Sequence, residues 1–434
     1  MNDFGIAGRG ASGARTRLNG QQIAGFWGAW FGWMLDGMDS VIYALVLAPA
    51  LTQLLPRSGI KPTPANIGEI GSILFAVFLI GWGFSFIWGP IADRFGRKKS
   101  LAATILLYAV FTGAAALSQN IYELGIFRLI AGIGIGGEWA MAGTYVAEAW
   151  PEDRRKMGAG LLQTGYYFGF FVAAALNFTV GADFGWRAMF LCGLAPVVIS
   201  VLIMLGVKET GKWQRHRATG TTHPLAAIFA PAHRRQTILM SVLLTVAIIG
   251  LWAGAVYEPS AIIILAKKSG MALPAAIHMV SFGTAILSLG TILGCIALPV
   301  LAERFGRRST LAFYFVIMFI TIIAAFGWAF YLPPAHALTT FLIILFFLGF
   351  GGGNFAMFSL WLPELYPTEI RATAFAFCTS IGRFAGAAVN FVLAAAVKGM
   401  GTLGTPVAIT AVAFAIGLLI IPFGRDTTGQ TLPE

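Results

Sequence analysis

Long apolar runs broken by short polar intervals make up most of the chain. Runs of about 20 residues, the length at which a helix crosses a bilayer, fall at 24–51, 68–92, 100–118, 121–147, 156–180, 186–207, 236–266, 275–302, 309–330, 337–362, 370–397 and 403–424. They predict twelve membrane-spanning helices in two sets of six. The divider is 208–235, the longest and most basic polar interval, whose His216, Gly220, Pro224 and Pro231 predict loop with a short surface helix. The expected organisation is a cytoplasmic tail over 1–23, a six-helix bundle over 24–207, a cytoplasmic linker over 208–235, a second six-helix bundle over 236–424 and a cytoplasmic tail over 425–434.

The polar intervals repeat. Gly89-Pro-Ile-Ala-Asp93-Arg94-Phe-Gly96-Arg97-Lys-Lys-Ser100 has an echo in Pro299-Val-Leu-Ala-Glu303-Arg304-Phe-Gly306-Arg307-Arg-Ser-Thr310, with acid, Arg, Phe, Gly, Arg and a basic residue at identical spacing. A second pattern, Glu148-x-x-Pro151-x-x-x-Arg155, returns as Glu364-x-x-Pro367-x-x-x-Arg371. Two patterns at matching places in each half indicate an internal duplication. In the second, Pro ends a helix at the inner membrane face, where the Glu and Arg of the same motif are spaced to pair.

Composition supports an integral membrane protein: 58% of residues are apolar and 11% charged, with 36 Phe and 12 Trp, whereas soluble domains carry about 25% charged residues. The first residues, Met1 to Gly20, are polar and hold Arg9, Arg15 and Arg17 without an apolar core, so they read as a short tail and not as a cleaved signal. The net charge of +11 follows topology. With the N-terminus inside, only Arg57, Lys61, Arg187, Lys267, Lys268 and Lys398 fall outside, and both ends face the cytoplasm. Nucleic acid is therefore not an expected partner. Cys192, Cys295 and Cys378 lie in apolar runs and have no metal spacing, which predicts free thiols, no metal and no cofactor. No phosphate-cradling loop, metal-ligand spacing or serine elbow is present. The chain does not read as an enzyme.

The Gly-x-x-x-Asp-Arg-x-Gly-Arg loop, its echo, the doubled Glu-x-x-Pro-x-x-x-Arg and the six-plus-six plan together resemble the major facilitator superfamily, over nearly the whole chain. The second loop departs from the pattern with Pro299 for Gly and Glu303 for Asp. Arg128-Leu-Ile-Ala-Gly-Ile-Gly-Ile-Gly-Gly-Glu138, Tyr145-Val-Ala-Glu-Ala-Trp-Pro151, Leu35-Asp-Gly-Met-Asp39 and Phe184-Gly-Trp-Arg-Ala-Met-Phe190 look like the bacterial sialate:proton symporters, which are related to fungal lactate and pyruvate carriers. Those sialate carriers typically have two further central spans, where this chain has its polar linker. The resemblance implies an all-α membrane fold of two pseudo-symmetric halves, alternating access, a proton as co-substrate, a monomer and the bacterial inner membrane. It also implies that Asp93 with Arg97, and Glu303 with Arg307, lock the inner side shut together with Gly89, Arg94, Gly96, Arg304, Gly306, Glu148, Arg155, Glu364 and Arg371. Their plain alternative is a set of helix-end salt bridges.

Ionisable residues inside spans are costly and so are functional candidates. Asp39 lies about 15 residues, roughly 22 Å, from the inner start of the first span, and Arg128 about 7 residues, roughly 10 Å, below the outer end of the fourth. The two therefore sit at similar depth. The resemblance to sugar:proton symporters, in which such a pair couples protonation to movement, implies that Asp39 carries the proton and Arg128 tunes it. The alternative is a static pair. Asp36, one turn before Asp39, and Glu138 are further proton-coupling candidates. Arg383, near the middle of the eleventh span, suits a carboxylate cargo or a pairing with Asp36 or Glu138. Gln163, Tyr166, Tyr167, Asn354 and Asn390 are candidates to line the cavity, or they are packing groups. Trp27, Trp30 and Trp33 read partly as an interfacial belt. The leading expectation is proton-coupled symport of a small organic anion, a monocarboxylate of lactate, pyruvate or sialate type. A proton-coupled sugar or polyol symporter and a non-transporting membrane sensor remain the alternatives.

Overall fold

A computed structural model describes residues 16–216 and 223–433. Residues 1–15 of the expected tail, Arg217 in the linker and Glu434 lie outside the described residues. In chain order the α-helices are α1 (Gly20–Arg57), α2 (Pro64–Phe84), α3 (Trp88–Phe95), α4 (Arg97–Ala115), α5 (Ile121–Ala149), α6 (Glu152–Leu176), α7 (Ala182–Cys192), α8 (Pro196–Gly206), α9 (Gly211–His216), α10 (Pro224–Ala227), α11 (Arg234–Lys268), α12 (Leu273–Phe305), α13 (Arg307–Ile322), α14 (Pro334–Gly352), α15 (Phe355–Leu365), α16 (Arg371–Met400), α17 (Gly404–Ile409) and α18 (Val412–Ile420). No strand occurs among the described residues.

Among the described residues nine helical stretches are long and apolar enough to cross a membrane, and α1, bent by 61° ahead of Pro49, makes a tenth. The helices α4 and α11, of 19 and 35 residues, complete six spans in each half. The second, sixth, tenth and twelfth spans are each built from two helical pieces: α2 with α3, α7 with α8, α14 with α15, and α17 with α18. Short polar signals start the spans. Asn19 caps α1 by accepting from the Gln22 amide, and Asn120 caps α5 through Glu123. Each requires an oxygen acceptor where the first helical N–H groups have no carbonyl partner.

Side chains such as Leu205, Phe347, Val392 and Leu419 are exposed on the periphery, as lipid-facing groups are in a bilayer. The seam between the halves is formed by α16 against α2, α3 and α5, and by α12 and α15 against α6. Close approach along this seam depends on glycine, and the two crossings solve it from opposite sides. A Cβ on Gly89 would lie 2.5 Å from the Thr373 Cα of α16. At the duplicate crossing the loop has Pro299, and the glycine has moved to the partner helix: a Cβ on Gly160 of α6 would lie 2.5 Å from the Pro299 Cγ. The departure at Pro299 thus keeps the requirement and transfers it.

Candidate functional site

The duplicated motifs meet at one end of the seam. Wholly buried Arg97 donates through Nη1 to the Asp93 carboxylate at 2.9 Å and through Nη2 to Glu148 at 3.1 Å. Its Nη2 also donates to the Thr368 carbonyl of the other half at 2.6 Å. Asp93 in turn accepts from the Thr373 amide at 2.9 Å and its hydroxyl at 2.6 Å, at the start of α16. A carboxylate there satisfies helix N–H groups and meets the positive end of the helix dipole.

The Glu and Arg of the corner motifs do not pair within their own motif. Glu148 accepts from Arg371 at 2.9 Å, and Glu364 accepts from Arg155 at 2.9 Å. Each Glu therefore sits between the loop arginine of its own half and the corner arginine of the other, because Arg307 also donates to Glu364 at 2.9 and 3.0 Å. This replaces the expected Glu148–Arg155 and Glu364–Arg371 pairs with a reciprocal exchange across the seam. Glu303 bonds Arg307 at 2.7 Å and Lys156 of the other half at 2.8 Å, a side-chain contact where Asp93 uses a helix terminus. Arg94 and Arg304 are exposed outside this cluster, over the rings of Phe95 and Phe305.

Two further acids hold the cluster in place and carry no motif that marks them in advance. Gly96 and Gly306 begin α4 and α13 at φ 107° and 86°, a conformation glycine adopts without strain, and neither has a side chain to cap the helix. Glu209, just beyond α8, accepts from the Arg97 amide at 3.0 Å and the Lys98 amide at 3.1 Å. Asp426, just beyond the last span, lies beside Gly306 and pairs with Arg308 at 3.7 Å. Burial pushes the Glu209 carboxyl above the usual glutamate range, against the opposing pull of the Thr210, Lys98 and Arg97 amides. The tail beyond Asp426 crosses the seam: Thr427 donates to Glu364, the Gln430 carbonyl accepts from Arg155, the Pro433 carbonyl accepts from Arg371, and the Leu432 amide donates to Glu152. By contrast, at the opposite end Arg57 bonds Gln119, Trp186 bonds Gln53, and Ser269 bonds the Pro334 carbonyl, each within one half.

Midway along the seam is a small cavity lined by Trp33, Trp82, Trp139, Gln163, Tyr166, Tyr167, Phe355 and Arg383. Trp33 stacks on Trp139 at 5.9 Å and 13°, and is 2% exposed, so it belongs to this wall and not to an interfacial belt. Trp139 is anchored by its indole N–H to Ser359 of the other half at 2.9 Å. The Arg383 guanidinium lies 3.9 Å over the Trp82 ring, while its Nε and Nη1 have no hydrogen-bond partner, nor has Gln163 Oε1. Among the described residues no carboxylate forms a salt bridge with Arg383, so the alternative pairing with Asp36 or Glu138 is not made in this state. Asn354 and Asn390 are not among the lining residues; Asn354 lies in the break between α14 and α15 and donates to the Gly351 carbonyl at 2.8 Å.

Acidic groups lie to the first-span side of the cavity. Asp39 and Arg128, both wholly buried, pair at 3.3 Å. Arg128 also lies 4.4 Å from the Tyr43 ring centroid and 4.7 Å from that of Phe78, an aromatic seat for a cation. Both oxygens of Asp36 and both of Glu138 are buried without a hydrogen-bond partner. The arrangement combines one paired acid, two acids without a hydrogen-bond partner and one cation beside an aromatic-lined cavity.

A family model, the Major Facilitator Superfamily, matches residues 29–390. A probable 4-methylmuconolactone transporter of Cupriavidus pinatubonensis is 30% identical, covering 95% of this chain and 94% of that protein. The sialic acid transporter NanX of Escherichia coli is 26% identical over 95% of this chain and 96% of its own, and the niacin transporter NiaP of Acinetobacter baylyi 28% identical over 94% of each. Among solved structures, the proton:xylose symporter XylE superposes with a TM-score of 0.77 at 19% identity, covering 95% of this chain and 98% of that one.

Proposed function

The chain belongs to the major facilitator superfamily of membrane transporters, not enzymes, and we propose that it is a proton-coupled importer of a small ring-bearing carboxylate. The observation that carries this reading is Arg383: a buried cation with two unpartnered nitrogens, stacked on Trp82 inside an aromatic box. A buried guanidinium is best matched by an anion, and the walls of Trp33, Trp139, Tyr166 and Phe355 suit the face of a flat ring. The names of the relatives point the same way, since methylmuconolactone, sialic acid and niacin are acids carried on a ring.

Cargo enters from the outer side while the inner cluster is closed. Its carboxylate accepts from Arg383, and Gln163 Oε1 receives a donor on the ring. Protonation of Asp39 cancels its ion pair with Arg128, which Tyr43 and Phe78 retain in place. Asp36 and Glu138, with no hydrogen bonds to lose, pass the proton at little structural cost. Opening inward then requires the exchanged Glu148–Arg371 and Glu364–Arg155 pairs to part. The protein resides in a bacterial inner membrane, with both ends in the cytoplasm.

Liposomes holding purified protein and a pH-sensitive dye test this. 4-Hydroxybenzoate or nicotinate is expected to acidify the interior beyond passive leak. Arg383→Gln is expected to weaken apparent affinity on the order of 100-fold, as loss of a buried charge-assisted contact does. Asp39→Asn is expected to abolish acidification and keep exchange of labelled acid. Acidification driven by xylose and by none of the acids would sink the carboxylate reading and favour the sugar symporter.

A further inference from the structure

Glu258 is a buried acid that the proposed cycle does not use. It lies on α11 about 10 residues, roughly 15 Å, inside the outer end at Lys268 and directly before Pro259, the only proline in that helix. Proline removes an N–H and leaves a carbonyl one turn earlier without its helix bond, so this is a natural bending point. The Glu258 side chain is 1% exposed, and its two oxygens share a single hydroxyl, that of Thr284 on α12, at 3.3 and 3.4 Å.

The surroundings are apolar. Gly283 of α12 makes room for the carboxyl, since a Cβ there would lie 3.0 Å from Oε1, and Ile262 of α11 and Leu342 of α14 close the same space. Among the described residues no Lys, Arg or His acts on this carboxyl. His278, further along α12, is exposed; on α16, Arg383 faces Trp82 and Arg371 is held by Glu148. The contrast with Glu364 in the same half is sharp, because Glu364 accepts from two arginines. An ionised carboxylate stripped of water and given one long hydroxyl contact is strongly disfavoured, while the neutral acid is far less so.

We propose that Glu258 is a proton-binding site of the C-terminal half, separate from the Asp39–Arg128 pair, occupied while the inner side is closed. The bound proton sits on one carboxyl oxygen as O–H; release leaves the carboxylate and a hydrated proton, with Thr284 as the donor to the charge that forms. The site needs no cargo, so it stands or falls independently of the carboxylate reading.

Infrared difference spectroscopy of the purified full chain in lipid nanodiscs, titrated without added substrate, reads the neutral carboxyl C=O band directly. Loss of one titrating band is expected in Glu258→Gln, with that band retained in Asp39→Asn. Thr284→Val is expected to keep the band and move its midpoint upward, because the donor to the charged form is gone; this variant decides the matter if Glu258→Gln does not fold. Spectra unaltered by both substitutions overturn the proposal. So does a band lost equally in Asp39→Asn, which assigns the titration to the first span.

Discussion

At the end of the seam where the duplicated motifs meet, charge is dense and fully engaged; at its middle, charge is sparse and left open. Arg97, Arg307 and Arg371 are wholly buried, yet each meets carboxylates or carbonyls with several of its nitrogens. Asp36, Glu138 and Arg383 are just as buried and leave two polar atoms each without a partner. Buried charges are stable when paired and hydrogen-bonded, so the first region is built to hold one state. The second leaves buried polar atoms without a protein partner. Charge is thus used in two different ways along one seam.

Removing a carboxylate from each region is expected to separate the two most widely. Glu148→Ala strips Arg97 and Arg371 of their shared partner, and a broken buried pair costs about 3–5 kcal/mol. Its thermal unfolding temperature is expected to fall, and a cysteine reporter on the inner side is expected to label faster. Asp36→Asn, in contrast, loses no hydrogen bond and is expected to change stability by less than about 1 kcal/mol; equal destabilisation by the two would end the distinction. A smaller effect sharpens the geometry of closure. Gly89→Ala and Gly160→Ala place a methyl against the other half at reciprocal crossings, and overpacking of this kind costs about 1–3 kcal/mol. Both are expected to raise inner-side labelling to similar extents, and a marked inequality would mean that one crossing dominates closure.

The smallest expected effect is one of pH. Burial raises the Glu209 carboxyl, so the proton-bound form is favoured in the folded state. Its contribution is present at acid pH and fades as pH rises from the ordinary glutamate range through the raised value. Thermal stability should carry a shallow downward slope there, flattened in Glu209→Gln; a slope unchanged in the variant assigns it to other groups.

Much of this is legible in the amino acids because hydropathy and helix rise are one-dimensional. The spans follow from apolar run length, and the contact between Asp39 and Arg128 follows from equal depth. The exchange of Glu148 and Glu364 partners does not, since either arginine satisfies either carboxylate and only the packing of the halves chooses. Glu209 and Asp426 escape for another reason: they lie in polar intervals where no periodicity marks a residue that reaches back to a helix start. Trp33 differs from its belt-like neighbour Trp27 only by the helix face it occupies, 2% exposed against 46%.

The exchanged pairs also have a symmetry. Each half gives its corner arginine to the other half's glutamate and receives the same in return, which is the contact pattern of a two-fold symmetric dimer. Two separate copies of one six-helix unit would close by this same interface, with every residue used twice. In a single chain each position can differ between the halves. The charged end of the seam keeps its twofold likeness, while at the centre Glu138 is matched by Asn354, the residue 216 positions on, the same offset that separates Glu148 from Glu364. The two-fold pairing is thus kept at the charged end of the seam and lost at its centre, where an acid in one half is matched by an amide at the corresponding place in the other.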